Sequence, residues 1–247
     1  MRNFMILTDE CPSLLSVPLP HTIHMKSWQG SGNSWTMYIH YHLHGIGELQ
    51  DFGRVASALN WHLTTNKDLR PGRYNGPRIA ADAVARYYPR DRYQKKVIDI
   101  AAGTGFVAEN LKARGFQHID ALEPSASMIA MAKKKGLYET YYENMLNDDP
   151  LNIETDTYDC AVSCGGFGEG HIPCAGIKEL IRITKPGGIV CIVMRQCYLI
   201  DVEEYKDRLV PFMISLENTG MWTRVSRHVV QDYFIDLPGV VFLYTVQ

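Results

Sequence analysis

Asp99, the turn Gly103-Thr104-Gly105 and Glu123 are the residues whose types and spacing point most directly to chemistry. The glycines follow a β-branched run, Lys96-Val97-Ile98-Asp99-Ile100-Ala101, and so form a turn at a strand end. A Cβ at such a turn would collide with an approaching ligand, and the helix expected next offers unpaired N–H groups at its start. Glu123 closes a second strand about 20 residues beyond the glycines, where an acid can grip a ribose diol. The pattern is that of a nucleotide-like site at the carboxyl ends of two adjacent strands.

Two ligand classes compete for it. Gly103-x-Gly105-x-x-Ala108 fits the dinucleotide fingerprint with its permitted last alanine, which would make the chain an NAD-dependent oxidoreductase. Asp99 argues the other way, because a carboxylate four residues before the first glycine would repel a pyrophosphate. The same carboxylate suits S-adenosyl-L-methionine, which has no phosphate and carries an ammonium and a sulfonium. We therefore prefer that cofactor.

Methyl transfer from a sulfonium is an in-line displacement that a protein can promote by orientation and desolvation. A general base is needed only where the acceptor must lose a proton. Glu169 and His171, in the loop after the fourth strand of the pattern, are the candidates for such a base; the plainer reading is that they shape the loop. No other catalytic residue is identified. Arg195, ending the fifth strand, can bind an acidic substrate or pair with a nearby carboxylate. The exit Ser163-Cys164-Gly165-Gly166-Phe167-Gly168 lacks the Asn/Asp-Pro-Pro-aromatic signature that resembles amino-methyltransferases of nucleic-acid bases and glutamine amides.

These residues need a scaffold. From Asn75, which can cap a helix with Pro77 in its first turn, helical spacing places Ile79, Ala83, Val84 and Tyr87 on one face. Strand one leads through the glycine turn into a helix over 106–114, and strand two spans 118–123. Ser125 caps the next helix, which ends at Gly136. Further strands are expected at 139–145, 158–163 and 189–194, with a helix over 174–184 and a turn at Lys185-Pro186-Gly187-Gly188 between the last two. A long helix over 202–218 should be kinked at Pro211, and an antiparallel hairpin, 225–235 and 240–246, should turn at Leu237-Pro238-Gly239. Alternating strands and helices predict a parallel sheet covered on both faces.

Residues 1–73 read as an irregular N-terminal extension, apart from a strand-like alternation at Ser34–His40, and residues 74–247 as the cofactor-binding domain. His40, His42 and His44 would share one strand face, with His21 and His24 nearby, yet the second-shell support of a metal site is not evident, and no metal is assigned. The 247 residues carry a formal net charge of -2, which argues against nucleic acid as a partner bound through a broad basic face. Six cysteines without a C-x-x-C pair suit a reducing compartment. No apolar run approaches the roughly 18 residues needed to span a bilayer, and no secretory signal is evident. We expect no membrane association and a cytoplasmic location, with nuclear access open.

Val97-Ile98-Asp99-Ile100-Ala101-Ala102-Gly103-Thr104-Gly105 resembles motif I of class I S-adenosylmethionine-dependent methyltransferases. Glu123-Pro124-Ser125-Ala126-Ser127-Met128 resembles their post-I segment, and Lys185-Pro186-Gly187-Gly188 the turn before their strand five. More narrowly, Tyr74 to Asp82, Gly170-His171-Ile172-Pro173-Cys174, and Tyr205-Lys206 through Gly220-Met221-Trp222 are similar to the methyltransferase-like family named after the Williams–Beuren syndrome region. The resemblance implies a Rossmann-like, doubly wound, three-layer α/β/α fold with seven strands in order 3-2-1-4-5-7-6, strand seven antiparallel. It implies that Asp99, Ala101 and Gly103, with Gly105 in the same turn, line the methionine end of the cofactor, and that Glu123 takes the ribose hydroxyls. Ser125 and Met128, beside Pro124, would flank the adenine, Asn144 and Met145 would meet its edge, and Ser163 and Cys164 would close the site. A Tyr-Asp-rich helical segment that such proteins usually carry ahead of the first helix is not found in residues 1–73. The acceptor expected is a small molecule or a protein side chain. A domain that binds the cofactor without efficient turnover and serves in an assembly is the alternative, and the oligomeric state is not legible.

Overall fold

The computed structural model describes residues 73–247 and, ahead of them, the backbone of three strands: β1 (Met5–Thr8), β2 (His24–Ser31) and β3 (Ser34–His40). The chain divides into two compact units, Met1–Gln50 and Asp51–Gln247. In the first, the three strands form an antiparallel sheet in the order β1-β3-β2. The alternation at Ser34–His40 is thus a strand, within a stretch read from the sequence as irregular. The histidine side chains, Cys11 and the rest of the first 72 residues lie outside the described ones.

The second unit is built on strands of which the inner ones are largely apolar and buried on both faces, as a sheet covered twice requires, whereas the last edge strand is mostly exposed. They are β4 (Lys96–Ile100), β5 (His118–Leu122), β6 (Tyr141–Tyr142), β7 (Tyr158–Cys164), β8 (Thr184–Arg195), β9 (Trp222–Phe234) and β10 (Leu237–Val246). Their order is β6-β5-β4-β7-β8-β10-β9, with β10 antiparallel to both its neighbours. Counted from β4, this is the 3-2-1-4-5-7-6 order that the motifs implied. Alternate residues of β4, β7, β8 and β10 feed two cores. Ile98, Ile100, Val190, Ile192 and Phe242 face one; Val97, Val162, Cys191, Val193 and Val241 face the other.

Six α-helices among the described residues cover the sheet. Helix α1 (Gly76–Tyr87) packs on α2 (Phe106–Lys112), β7 and β8, and its Ile79, Ala80 and Val84 fill the second core. Helix α3 (Ala126–Lys135) begins at Ser125, whose hydroxyl accepts from Met128 N, and ends at the left-handed Gly136 as the sequence suggested. Helices α4 (Ile177–Ile183) and α6 (Leu209–Asn218) serve the first core, and the short α5 (Tyr198–Asp201) follows β8.

Several local expectations need correction. Asn75 precedes α1 without capping it; its amide donates instead to Asp232 O. The third strand of the domain is two residues rather than seven. The helix expected over 202–218 is confined to α6, since residues 202–208 form turns after α5, and Pro211 sits in the first turn of α6, where its missing N–H breaks no bond. Residues 185–188 are no free turn: β8 already pairs at Thr184, and the glycines lie where its register slips against β7.

The terminal hairpin turns at Ile235-Asp236, where φ is +33° and +58°, and Pro238 lies inside β10 at a register shift. Two-residue hairpin turns of this hand favour Asn-Gly, so a β-branched residue here is strained. Ile235 is exposed, so little packing holds it. Ile235→Asn is expected to stabilise the protein by about 1 kcal/mol, read as a higher urea midpoint at unchanged slope; an equal or lower midpoint would remove the strain assignment.

Candidate active site

The site forms where β4 and β5 end side by side, with β7 on the other flank of β4. Beyond β4 the chain reverses through left-handed Ala101, Gly103 and Gly105 and enters α2. This turn is tied to β5 by Ala102 N donating to Leu122 O at 3.1 Å. A Cβ built on Gly103 would lie 3.9 Å from Met128 Sδ, so the glycine turn faces the start of α3.

Glu123 is only 6% exposed, not a solvated strand end. Its Oε2 accepts from Gly103 N and its Oε1 from Ser125 N, both at 2.9 Å. Burial raises its pKa, while those two N–H groups, together with the nearby His171, pull it back. A carboxylate offers about four acceptor positions, so each oxygen keeps one free for a hydroxyl. The pair of bonds holds the acid in one orientation and joins three predicted residues, Gly103, Glu123 and Ser125, into one unit.

Asp99 is 0% exposed. Its Oδ2 accepts from the Tyr138 hydroxyl at 2.7 Å, whereas Oδ1 has no hydrogen-bond partner. Burial pushes its pKa up to about 7, and the negative charge of Glu123 adds to this, against the Tyr138 bond and the backbone N–H of Ala108, which lower it. Thr104 Oγ1 and Ser163 Oγ are likewise buried and unpartnered. Buried polar atoms are normally satisfied, so three orphans at one end of adjoining strands mark a place built for something else to bond.

Ala101 and Ser163 meet across the β4–β7 junction, where a Cβ on Gly166 would come within 2.9 Å of Ala101 Cβ and 2.5 Å of Ser163 Oγ. Cys164 shares the face of Asp99, and its thiol contacts Tyr74 OH at 3.3 Å. Tyr74 OH lies 3.2 Å from Tyr233 OH, and burial pushes the Cys164 thiol up to about 12. Met145 is half-buried after β6, while Asn144 and Pro124 are exposed. Asn144 Oδ1 accepts from Met145 N at 2.8 Å.

Glu169 and His171 are exposed on the loop after β7, where His171 Nδ1 lies 2.7 Å from Glu169 O. That loop is held from below by the Tyr205 hydroxyl, which is 2.9 Å from Gly168 O and 2.7 Å from Ile172 O.

Sequence reasoning missed Tyr138, Tyr74 and Tyr233 as parts of this neighbourhood. Tyr138 comes from the loop after α3, and only the fold brings it to Asp99. Its own position is fixed through its neighbours: Glu139 N donates to Ile119 O, and Thr140 N to Asp120 Oδ1.

The donor set favours one of the two ligand classes. Neither 99–105 nor 123–128 contains a lysine or arginine to meet a pyrophosphate. A buried carboxylate with a free oxygen, beside a second carboxylate with two open positions, fits a cationic nucleoside with a free diol. Among the described residues no group of three or more histidine, cysteine, aspartate or glutamate side chains could hold a metal ion, and no helix is long and apolar enough to cross a membrane.

Comparison with known proteins agrees with this choice. Residues 73–228 match the methyltransferase domain family. The chain is 32% identical over 179 residues to methyltransferase-like protein 27 of Homo sapiens, covering 72% of this chain and 71% of that one. It is also 32% identical over 110 residues to chloroplastic 2-methyl-6-phytyl-1,4-hydroquinone methyltransferase 2 of Oryza sativa subsp. japonica, over 42% of this chain and 31% of that protein. Among solved structures, Burkholderia thailandensis 1,6-didemethyltoxoflavin-N1-methyltransferase, with bound 1,6-didemethyltoxoflavin and S-adenosylhomocysteine, aligns with a TM-score of 0.58 and 14% identity. That alignment covers 85% of this chain and 95% of the other, and shares the fold.

Tyr138 provides a test of the electrostatics. Tyr138→Phe removes the side-chain hydrogen bond to Asp99, so the carboxyl pKa should rise further above about 7, and stability should fall by about 1–3 kcal/mol. Carboxyl-region infrared or NMR titration of wild type against variant reads the shift; an unmoved titration would mean that the bond does not tune the acid.

Proposed function

The chain belongs to the class I S-adenosylmethionine-dependent methyltransferases, of the methyltransferase-like type, and from that premise we propose that its Asp99–Glu123 pair holds the cofactor for methyl transfer to a small molecule. The observation that carries the assignment is the orphan Oδ1 of a fully buried Asp99 next to the glycine turn. When bound, S-adenosylmethionine supplies an electrophilic methyl group on a sulfonium.

Asp99 Oδ1, turned inward without a partner, receives the ammonium of the methionine end. The Gly103 turn lets the backbone approach the same end closely, since a side chain there would fill the gap towards Met128. Glu123 accepts the two ribose hydroxyls at the positions its backbone bonds leave open. Met128 and Ser125 flank the base, and Asn144 and Met145 border its edge. Ser163 completes the methionine side from β7, while Cys164 faces the acceptor side with Tyr74.

The reaction then needs alignment and exclusion of water more than a covalent nucleophile. The buried strand ends provide both. Glu169 and His171 stand on the loop after β7, where a base is useful for an acceptor that must shed a proton. A small-molecule acceptor is supported by the hydroquinone in the name of the similar Oryza sativa enzyme.

The raised pKa of Asp99 gives the assignment a pH signature. In the free protein the carboxyl is protonated below about pH 7, and a cationic ligand must displace that proton. Affinity for S-adenosylhomocysteine, which keeps the ammonium, should therefore climb from about pH 5.5 to about pH 7 by up to roughly tenfold per unit, then level off. The stability of the free protein runs the opposite way over this window, because the folded state binds the proton more tightly than the unfolded chain. Calorimetry with Asp99→Asn should show weaker binding with that pH dependence gone. A variant that binds as wild type does at all pH values would overturn the role of Asp99. Glu123→Gln should weaken S-adenosylhomocysteine by about tenfold; unchanged affinity would remove the ribose assignment.

A further inference from the structure

Arg195 ends β8 and is half-buried. Its guanidinium carbon lies 4.7 Å from the ring centre of Phe234 and 5.6 Å from that of Tyr198. Arg114, Arg182 and Arg208 each pair with a carboxylate: Asp82, Glu179 and Glu204. Arg195 pairs with none among the described residues. Aromatic contact covers the faces of a guanidinium but satisfies none of its five N–H donors, which lie at its edge. A stacked, half-buried arginine with its donors unspent is a prepared receptor for an anion.

Its place in the fold identifies whose anion. Arg195 stands opposite Gly239 of β10 and two residues beyond Val193, which pairs with Cys164. It thus shares the face of Cys164 and Tyr233, and its charge is felt at the Tyr233 phenol. Two inter-strand steps separate β8 from β4, about 10 Å in all. Asp99 and Glu123, proposed for the cofactor, lie on β4 and beyond it at the end of β5, whereas Arg195 lies on the far flank of β7 against Tyr198 and Phe234, with Tyr233 within reach of its charge. The arginine thus stands apart from both Asp99 and Glu123.

We propose that Arg195 determines acceptor specificity, and that the methyl acceptor is a small molecule carrying a carboxylate or an equivalent small anion. This rests on the methyltransferase reading above and deepens it: the anion docks on the guanidinium edge, and the apolar body of the acceptor lies among the surrounding rings. The carboxylate of the cofactor is the competing source of the same chemistry, and the experiment separates the two.

Ligand-observed fluorine NMR would compare 4-fluorobenzoate with neutral 4-fluorobenzamide on wild-type protein saturated with S-adenosylhomocysteine. Benzoate should bind and the amide should not. Arg195→Met should weaken benzoate by about tenfold or more, and Arg195→Lys should retain part of the binding by keeping the charge. Calorimetry on the same variants should show unchanged affinity for S-adenosylhomocysteine, which also certifies their fold. Benzoate and amide binding alike, no benzoate binding to wild type, or benzoate binding untouched in both variants would each overturn the proposal. Loss of S-adenosylhomocysteine affinity in folded Arg195→Met would overturn it too, by giving the arginine to the cofactor. Failure of wild type to bind S-adenosylhomocysteine would instead strike at the cofactor assignment.

Discussion

Keeping the Asp99 carboxylate out of water is the constraint on which the site depends. A lone carboxylate in a sheet interior is costly, and proteins normally pair it or neutralise it. Here β5 and β7 flank its strand, helices cover both faces of the sheet, and the Tyr138 hydroxyl meets one oxygen only. The remaining oxygen is left to a ligand. The folded chain therefore stores an unfavourable group whose cost a cation can relieve, which is how a site gains selectivity for charge from burial alone.

Glu123 shows what the alternative treatment of a carboxylate looks like. It lies one strand away and is nearly as buried, yet each of its oxygens receives a backbone N–H. Those bonds keep it an acceptor of fixed orientation, suited to hydroxyls, while Asp99 remains a responsive charge. The two acids also oppose one another, since the charge of Glu123 contributes to raising Asp99. A ligand that brings positive charge to one and hydroxyls to the other resolves both at once, so the pair reads a whole molecule rather than two separate groups.

How much of this the sequence displayed follows from the range of each interaction. Asp99, the glycine turn and Glu123 were legible because a strand end, a turn and a helix start impose local spacing that survives in one dimension. Sheet order came from the resemblance of those same motifs. Tyr138 left no signal, since it sits in a loop 39 residues from the acid it bonds. Nothing in its neighbours' periodicity distinguishes it from a core tyrosine. The hairpin turn was misplaced for a different reason. Pro238-Gly239 is the stronger local turn signal, but β10 must extend far enough to pair Gly239 with Arg195, which moves the reversal onto Ile235-Asp236. The long helix over 202–218 failed because Pro211 was read as an interior kink, when a helix beginning at Leu209 gives it a harmless first-turn position.

The same logic separates two groups of residues at the strand ends, the one proposed for the cofactor and the one proposed for the acceptor. The first is made of strand ends, backbone N–H groups and two acids whose positions the sheet dictates, so any chain with this fold can present it. The second, where we place the acceptor, is assembled from Tyr74 ahead of α1, Cys164 on β7, Arg195 on β8 and Tyr233 on β9, side chains that only tertiary packing brings together. A fold shared at 14% identity therefore carries the architecture from one protein to another without carrying the acceptor.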